Sequence, residues 1–170
     1  MTTTAPGAGF ETGPTVRPAE RADLVDVARI ERRSFPQPWP FAAFEGFLGA
    51  PGFLVADVGA AGSPTVAGYV VADAVTEPAG RVGHVKDIAV DPAWRGRGVG
   101  TRLLDRALSV LDGRGVRRAK LEVRESNEPA IALYRRFGFE PRRLVPGYYE
   151  DGEAAAVFVV DLADRPRPVG

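Results

Sequence analysis

The residues Arg95-Gly96-Arg97-Gly98-Val99-Gly100 combine the two things an anion site needs. Glycines at 96, 98 and 100 let successive backbone N–H groups turn toward one point. Arg95 and Arg97 offer planar, permanently charged forks to phosphate oxygens. A β-rich run stops at Val90 just before the loop and an apolar helical pattern starts just after it, so a helix N-terminus adds partial positive charge. That chemistry suits a pyrophosphate or a ribose phosphate. Taken alone, the same loop reads equally as a turn with solvated arginines. It has no Lys followed by Ser or Thr, as a P-loop needs, and its spacing differs from the dinucleotide fingerprint.

Three further side chains could move protons. In the run from Arg118 to Arg124, Ala119, Leu121 and Val123 alternate with Lys120, Glu122 and Arg124, the pattern of a strand with one apolar and one charged face. Glu122 lies on the charged face, where periodicity alone pairs it with Lys120 or Arg124 in solvent. Tyr134 shares a helical face with Ile131 and Phe137; it reads as core, although a buried ring can still direct its hydroxyl into a cleft. His84 is the only histidine. In a strand it is ordinarily structural, while its near-neutral pKa also suits a proton relay. Two aromatic segments, Phe35-Pro36-Gln37-Pro38-Trp39 and Tyr148-Tyr149-Glu150, could wall a pocket or simply pack as loops.

The elements that must position these residues follow from pattern. Thr15 to Arg17 is a short strand, and Pro18 to Arg33 reads as a helix with acids early, Leu24, Val27 and Ile30 on one stripe and arginines at its end. Phe41 to Leu48 gives a second helix. Phe53 to Val58 and Val66 to Ala74 form a hairpin around Gly59 to Pro64, and Val82 to Val90 is the fourth strand. Thr101 to Leu111 is an amphipathic helix, with Leu103, Leu104, Ala107, Leu108 and Leu111 on its apolar face. Arg118 to Arg124 is the fifth strand. Ser126-Asn127-Glu128-Pro129 opens a helix that Gly138 closes, and Phe139 to Leu144 and Ala155 to Leu162 are the last strands. The expected class is α/β (α+β), a mixed sheet with helices against it.

Composition narrows the chemistry. With 170 residues one domain is expected, from residue 15 to 163, between a disordered tail at 1–14 and a loose tail at 164–170. Lys plus Arg and Asp plus Glu both number 22, so no global charge draws the chain to nucleic acid or to an anionic membrane. There is no cysteine, which removes disulfides, thiolate zinc sites and an acyl-cysteine route. One histidine and no acid cluster of ligand spacing speak against a metal. The N-terminal stretch lacks the basic and apolar regions of a signal peptide, and the run from Ala154 to Val160 is too short to span a bilayer, so a cytoplasmic location is expected. Nothing in the pattern specifies an oligomeric state.

The loop Arg95-Gly96-Arg97-Gly98-Val99-Gly100 resembles the Arg/Gln-x-x-Gly-x-Gly/Ala signature of the GNAT superfamily of N-acetyltransferases. Lys86-Asp87-Ile88-Ala89-Val90-Asp91-Pro92, Leu121-Glu122-Val123-Arg124-Glu125-Ser126-Asn127, Ala130-Ile131-Ala132-Leu133-Tyr134 and Phe137-Gly138-Phe139 look like the RimI-type ribosomal-protein and archaeal N-terminal acetyltransferases. Gly147-Tyr148-Tyr149-Glu150-Asp151-Gly152-Glu153 is similar to their loop before the last strand. The resemblance implies a mostly antiparallel sheet of about seven strands flanked by about four helices, splayed between strands 4 and 5.

It also implies acetyl-CoA as co-substrate and no metal. The backbone of Ile88, Ala89 and Val90 would hold the pantetheine arm and polarise the thioester; Arg95, Gly96, Arg97, Gly98, Val99, Gly100 and Thr101 would hold the pyrophosphate; Asn127 would contact the pantetheine. Glu122 would be the general base, Tyr134 the acid assisting the thiol, and His84 a second base or relay. Phe35, Trp39, Tyr148 and Tyr149 would line the acceptor side. The implied acceptor is the α-amine of a protein or peptide N-terminus, ribosomal proteins among the candidates. The alternatives are a small-molecule amine or a Lys side chain, and a non-catalytic CoA-binding module.

Overall fold

The computed structural model describes residues 13–168. Residues 1–12, most of the stretch expected to be disordered, and residues 169–170 lie outside the described residues. The chain runs β1 (Thr15–Pro18), a 3-10 turn (Arg21–Asp23), α1 (Leu24–Ser34), α2 (Phe41–Phe47), β2 (Phe53–Asp57), β3 (Val66–Glu77) and β4 (Gly80–Val90). A second 3-10 turn (Pro92–Trp94) leads to α3 (Val99–Gly113), β5 (Arg118–Arg124), α4 (Glu128–Arg136), β6 (Glu140–Val145) and β7 (Ala155–Asp161). The seven strands make one sheet in the order β1-β2-β3-β4-β5-β7-β6. Every pair is antiparallel except β4 with β5. That parallel pair registers only at Gly83 with Ala119 and His84 with Lys120. Past these residues the two strands splay, and their unpaired C-terminal halves face a gap.

Each face of the sheet carries its own core. The apolar stripe of α3, Leu103, Leu104, Leu108 and Leu111, is fully buried with Leu121, Val123, Phe137 and Phe158 on one face. Leu24, Val27 and Ile30 of α1 and Phe44 of α2 cover the other face over Phe53, Tyr69 and Val71. Each such side chain contributes about 1.5–3 kcal/mol of transfer free energy. Helices on both faces leave the splay as the opening in the sheet.

A bulge shifts the β3–β4 register: Val71 faces Asp87 but Ala72 faces Val85. The extra residue, Lys86, changes which side chains share a face. Without it, residues 84 and 87 would point to opposite sides of the sheet. With it, His84 and Asp87 both lie on the α1–α2 face.

The helix expected from Pro18 starts later. Pro18 instead ends β1, opposite Leu54, and the Asp23 carboxylate accepts the Glu20 N–H at 2.8 Å in a capping box that sets the helical start. A proline is tolerated there because β1 is an edge strand. The third strand runs on to Glu77, beyond the expected Ala74, because a two-residue turn at Pro78 and Ala79 pairs Glu77 directly with Gly80. Arg165, in the segment read above as a loose tail, is buried and donates to Asp105 Oδ1 at 3.1 Å and Ser109 Oγ at 3.3 Å on α3. The anchor is polar, which a search for apolar clusters passes over.

Candidate active site

The splay opens into a cleft of about 780 Å³ that runs from the glycine loop, between β4 and β5, to the α1–α2 connection. At one end, Gly96 and Gly98 have φ of 75° and 79°, left-handed values that glycine alone adopts without strain. Gly98 is the N-cap of α3, and the first intrahelical bond there is Arg102 N–H to Gly98 carbonyl, at 3.1 Å. The N–H groups of Val99, Gly100 and Thr101 precede that bond and are the orphan donors of a helix start. All three residues line the cleft, with Arg95, Gly96 and Gly98.

The two arginines part company. Arg95 reaches the Val90 carbonyl at 3.1 Å and Ser34 Oγ at 3.3 Å, tying the loop to β4 and α1. Arg97 lies over the Trp94 ring, 5.0 Å from its centre, outside the cleft lining. Ile88, Ala89 and Val90, still paired with β3, form one wall where β4 has parted from β5. Asn127 caps α4 by accepting the Ala130 N–H at 3.3 Å, which leaves its amide N–H groups as donors at the cleft.

Where the splay begins, His84 Nε2 and Glu122 Oε2 are 2.6 Å apart, both about one-fifth exposed; Glu122 lines the cleft and His84 does not. The other charges on the strand are taken elsewhere: Lys120 pairs with Glu77, and Arg124 with Asp151 at 2.8 Å and Glu153 at 3.0 Å. The partners that periodicity suggested for Glu122 therefore give way to a hydrogen bond with histidine on the neighbouring strand. Burial pushes the Glu122 carboxyl up, but the His84 hydrogen bond, its charge and that of Lys120 together outweigh it and hold the group below the ordinary carboxylate range. A carboxylate only accepts, so the shared proton resides on Nε2.

Tyr134 lines the cleft from α4, its ring edge-on to Phe139 at 5.9 Å. Burial, then the nearby Asp87 and Tyr149, pushes its phenol well above the usual value, so it stays protonated. Tyr134 is thus both buried and part of the cleft lining. Arg124 sits over the Tyr149 ring, 4.1 Å from its centre, and docks the 148–153 turn on β5. Tyr149 lines the cleft and burial, with Tyr148 beside it, lifts its phenol to about 12. Tyr148 packs edge-on to Tyr149 at 5.0 Å and remains half exposed outside the lining. Phe35 and Trp39 form part of the opposite wall.

Glu31, Tyr69 and Asp87 also meet in this cleft region, and sequence reasoning missed them. The Tyr69 hydroxyl donates to Glu31 Oε2 and lies 3.2 Å from Asp87 Oδ2. A phenol has one proton, and the Tyr69 hydroxyl is within donating distance of both carboxyls. Burial, and then the neighbouring Glu31, pushes the Asp87 carboxyl well above its ordinary value. One signal was available. Glu31 falls four residues after Val27 and seven after Leu24, so an acid occupies the apolar stripe of α1. Among the described residues, no group of three or more His, Asp or Glu side chains is placed to hold a metal ion.

A mostly antiparallel sheet parted at its single parallel pair, with a left-handed glycine loop feeding a helix beside the gap, is the arrangement of the GNAT fold. The chain belongs to the Acetyltransferase (GNAT) family, whose model matches residues 24–139, and is an acyltransferase of that family. It is 43% identical over 144 residues to an uncharacterised protein of Mycobacterium leprae, covering 79% of this chain but only 37% of that protein. It is 35% identical over 158 residues to the N-alpha-acetyltransferase of Sulfolobus acidocaldarius, covering 86% of this chain and 92% of that one. The crystal structure of the ribosomal-protein-S18-alanine N-acetyltransferase from Escherichia coli superposes with a TM-score of 0.73 at 29% identity, over 92% of this chain and 99% of that one.

Proposed function

We propose that the protein transfers the acetyl group of acetyl-CoA to the α-amine of protein or peptide N-termini, by direct attack with both substrates bound, in the cytoplasm. The observation that carries this reading is Glu122, which lines the cleft between the glycine loop and the α1–α2 connection and is held by His84 at 2.6 Å. The residues present fit the co-substrate. The Gly98 turn and the first N–H groups of α3 suit its pyrophosphate, the unpaired edge of β4 at Ile88 to Val90 offers hydrogen bonds to the pantetheine arm, and Asn127 donates from the far side.

The proton chemistry asks little of the base. An α-amine with a pKa near 8 is about one-tenth neutral at pH 7, which costs only about 1.4 kcal/mol. The nitrogen attacks the carbonyl carbon, the C–N bond forms, and the nitrogen then sheds its proton to Glu122, with His84 holding the carboxylate in place. Backbone N–H at Val90 stabilises the oxyanion. The C–S bond breaks as the Tyr134 hydroxyl donates a hydrogen bond to the departing sulfur. Arg97, stacked on Trp94, supports the loop and adds positive potential.

A panel of peptides with free Ser, Ala or Met N-termini, set against the same peptides with blocked N-termini and against free Lys and polyamines, tests the reading by thiol release. Turnover is expected on free N-termini only. Turnover on polyamines or Lys with none on peptides sinks it.

A further inference from the structure

The segment from Pro36 to Pro40 walls the acceptor side of the cleft, yet has almost no means of holding a fixed backbone. Pro36, Pro38 and Pro40 carry no N–H, so Gln37 and Trp39 supply its only backbone donors. The Trp39 N–H donates to Glu31 Oε1 at 2.9 Å, and Glu31 is 1% exposed. The other oxygen of Glu31 is fixed by Tyr69. Aromatic rings complete a circuit: Trp39 stacks on Phe47 at 5.9 Å and contacts Phe44 at 5.6 Å, and Phe44 meets the ring of Tyr69 edge-on at 5.4 Å. One carboxylate thus joins α1, β3 and the wall segment, and buried groups of this kind are held only when every oxygen is satisfied.

We propose that Glu31 is the positioning residue of the acceptor wall, holding Phe35 to Trp39 in register for the acceptor through the Trp39 backbone N–H. This rests on the reading of that side of the cleft as the acceptor site. Glu31 lines the cleft but is buried and already engaged by Trp39 and Tyr69, so its effect falls on acceptor binding and not on acetyl-CoA.

Reach separates this role from charge. Glu31→Gln keeps the reach: its carbonyl accepts from Trp39, its amide donates to Tyr69, and Tyr69 turns its proton to Asp87. Glu31→Asp keeps the charge and is one methylene too short. The expected result is a peptide KM raised about tenfold in Glu31→Asp, with kcat and the acetyl-CoA KM within about threefold of the parent, and near-parent values in Glu31→Gln, tenfold being about 1.4 kcal/mol of lost acceptor binding. Amide hydrogen exchange at Trp39, followed by NMR, should quicken at least about tenfold in Glu31→Asp, the loss of one buried hydrogen bond, and stay slow in Glu31→Gln. The proposal is overturned if Glu31→Asp matches the parent, if Glu31→Gln is the impaired variant, or if both KM values rise together. If the parent acetylates no peptide, the functional reading fails while the Trp39 exchange still decides whether Glu31 holds the wall.

Discussion

Replacing Glu122 with glutamine removes the proposed base while leaving its hydrogen bond in place. The carbonyl of the introduced amide would still accept from His84 Nε2, so the ring keeps its tautomer and the splay its geometry. What disappears is the negative charge, whose bond to Nε2 at 2.6 Å is short enough to be charge-assisted. Turning a charge-assisted bond into a neutral one costs about 1 kcal/mol, which in a chain of this size lowers Tm by roughly 2–4 °C. Loss of general-base catalysis costs far more, about 10²–10⁴ in kcat, or roughly 3–5.5 kcal/mol of barrier. Steady-state kinetics by thiol release, with thermal unfolding in parallel, keeps the two effects apart. The pH profile adds a sign: the residual activity of the variant should climb about tenfold between pH 7 and 9 as the acceptor α-amine, with a pKa near 8, deprotonates without help. A variant with kcat within threefold of the parent, at unchanged acetyl-CoA affinity, would refute the assignment and leave Glu122 as a structural partner of His84.

The two glycines at the start of α3 should behave oppositely. Gly98 is left-handed, so Gly98→Ala should lose about 1 kcal/mol or more and weaken coenzyme A binding, whereas Gly100→Ala meets only Leu133 at 3.4 Å and Val90 at 3.6 Å and should hold or raise Tm, as calorimetry and isothermal titration with coenzyme A would show. Tyr134→Phe retains the contact with Phe139 and should leave Tm almost unchanged while lowering kcat about tenfold to a hundredfold; equal kcat in the two proteins would remove the hydroxyl from the reaction. The Asp91 carboxyl is pushed up by burial but pulled down further by Arg29 and by the Ala93 N–H, to a net value below the ordinary one. Its stabilising effect is therefore full above the unfolded pKa, near 4, and is lost as pH falls through the lower folded value. The Tm difference between the parent and Asp91→Asn should accordingly shrink as pH drops below about 4.

Local pattern carried most of the fold, because amphipathic periodicity and turn chemistry act over a few residues. The leucine stripe of α3, the alternation in β5 and the Asn127 cap all lie where the sequence places them. The early helix was misplaced for the same reason: a proline near a helix start and one ending an edge strand look alike until β2 supplies the partner. The left-handed turn at Gly96 and Gly98 was legible too, since such turns demand glycine locally.

Partners were another matter. Glu122 had two cations on its own strand, and tertiary structure gave both away, to Glu77 and to the 151–153 turn, before bringing His84 to it where the splay begins. Arg97 carries the charge a phosphate wants, and the tertiary structure lays it over Trp94. Glu31, Tyr69 and Asp87 are 38 and 18 residues apart in turn, and meet only because the Lys86 bulge turns Asp87 onto the α1 face. Neighbours along the chain were enough to settle which elements form and where the backbone must turn left-handed before α3. The pairing of His84 with Glu122 and the anchoring of the Trp39 wall were decided by tertiary structure, because a hydrogen bond depends on where two strands part and on which face a bulge turns a side chain.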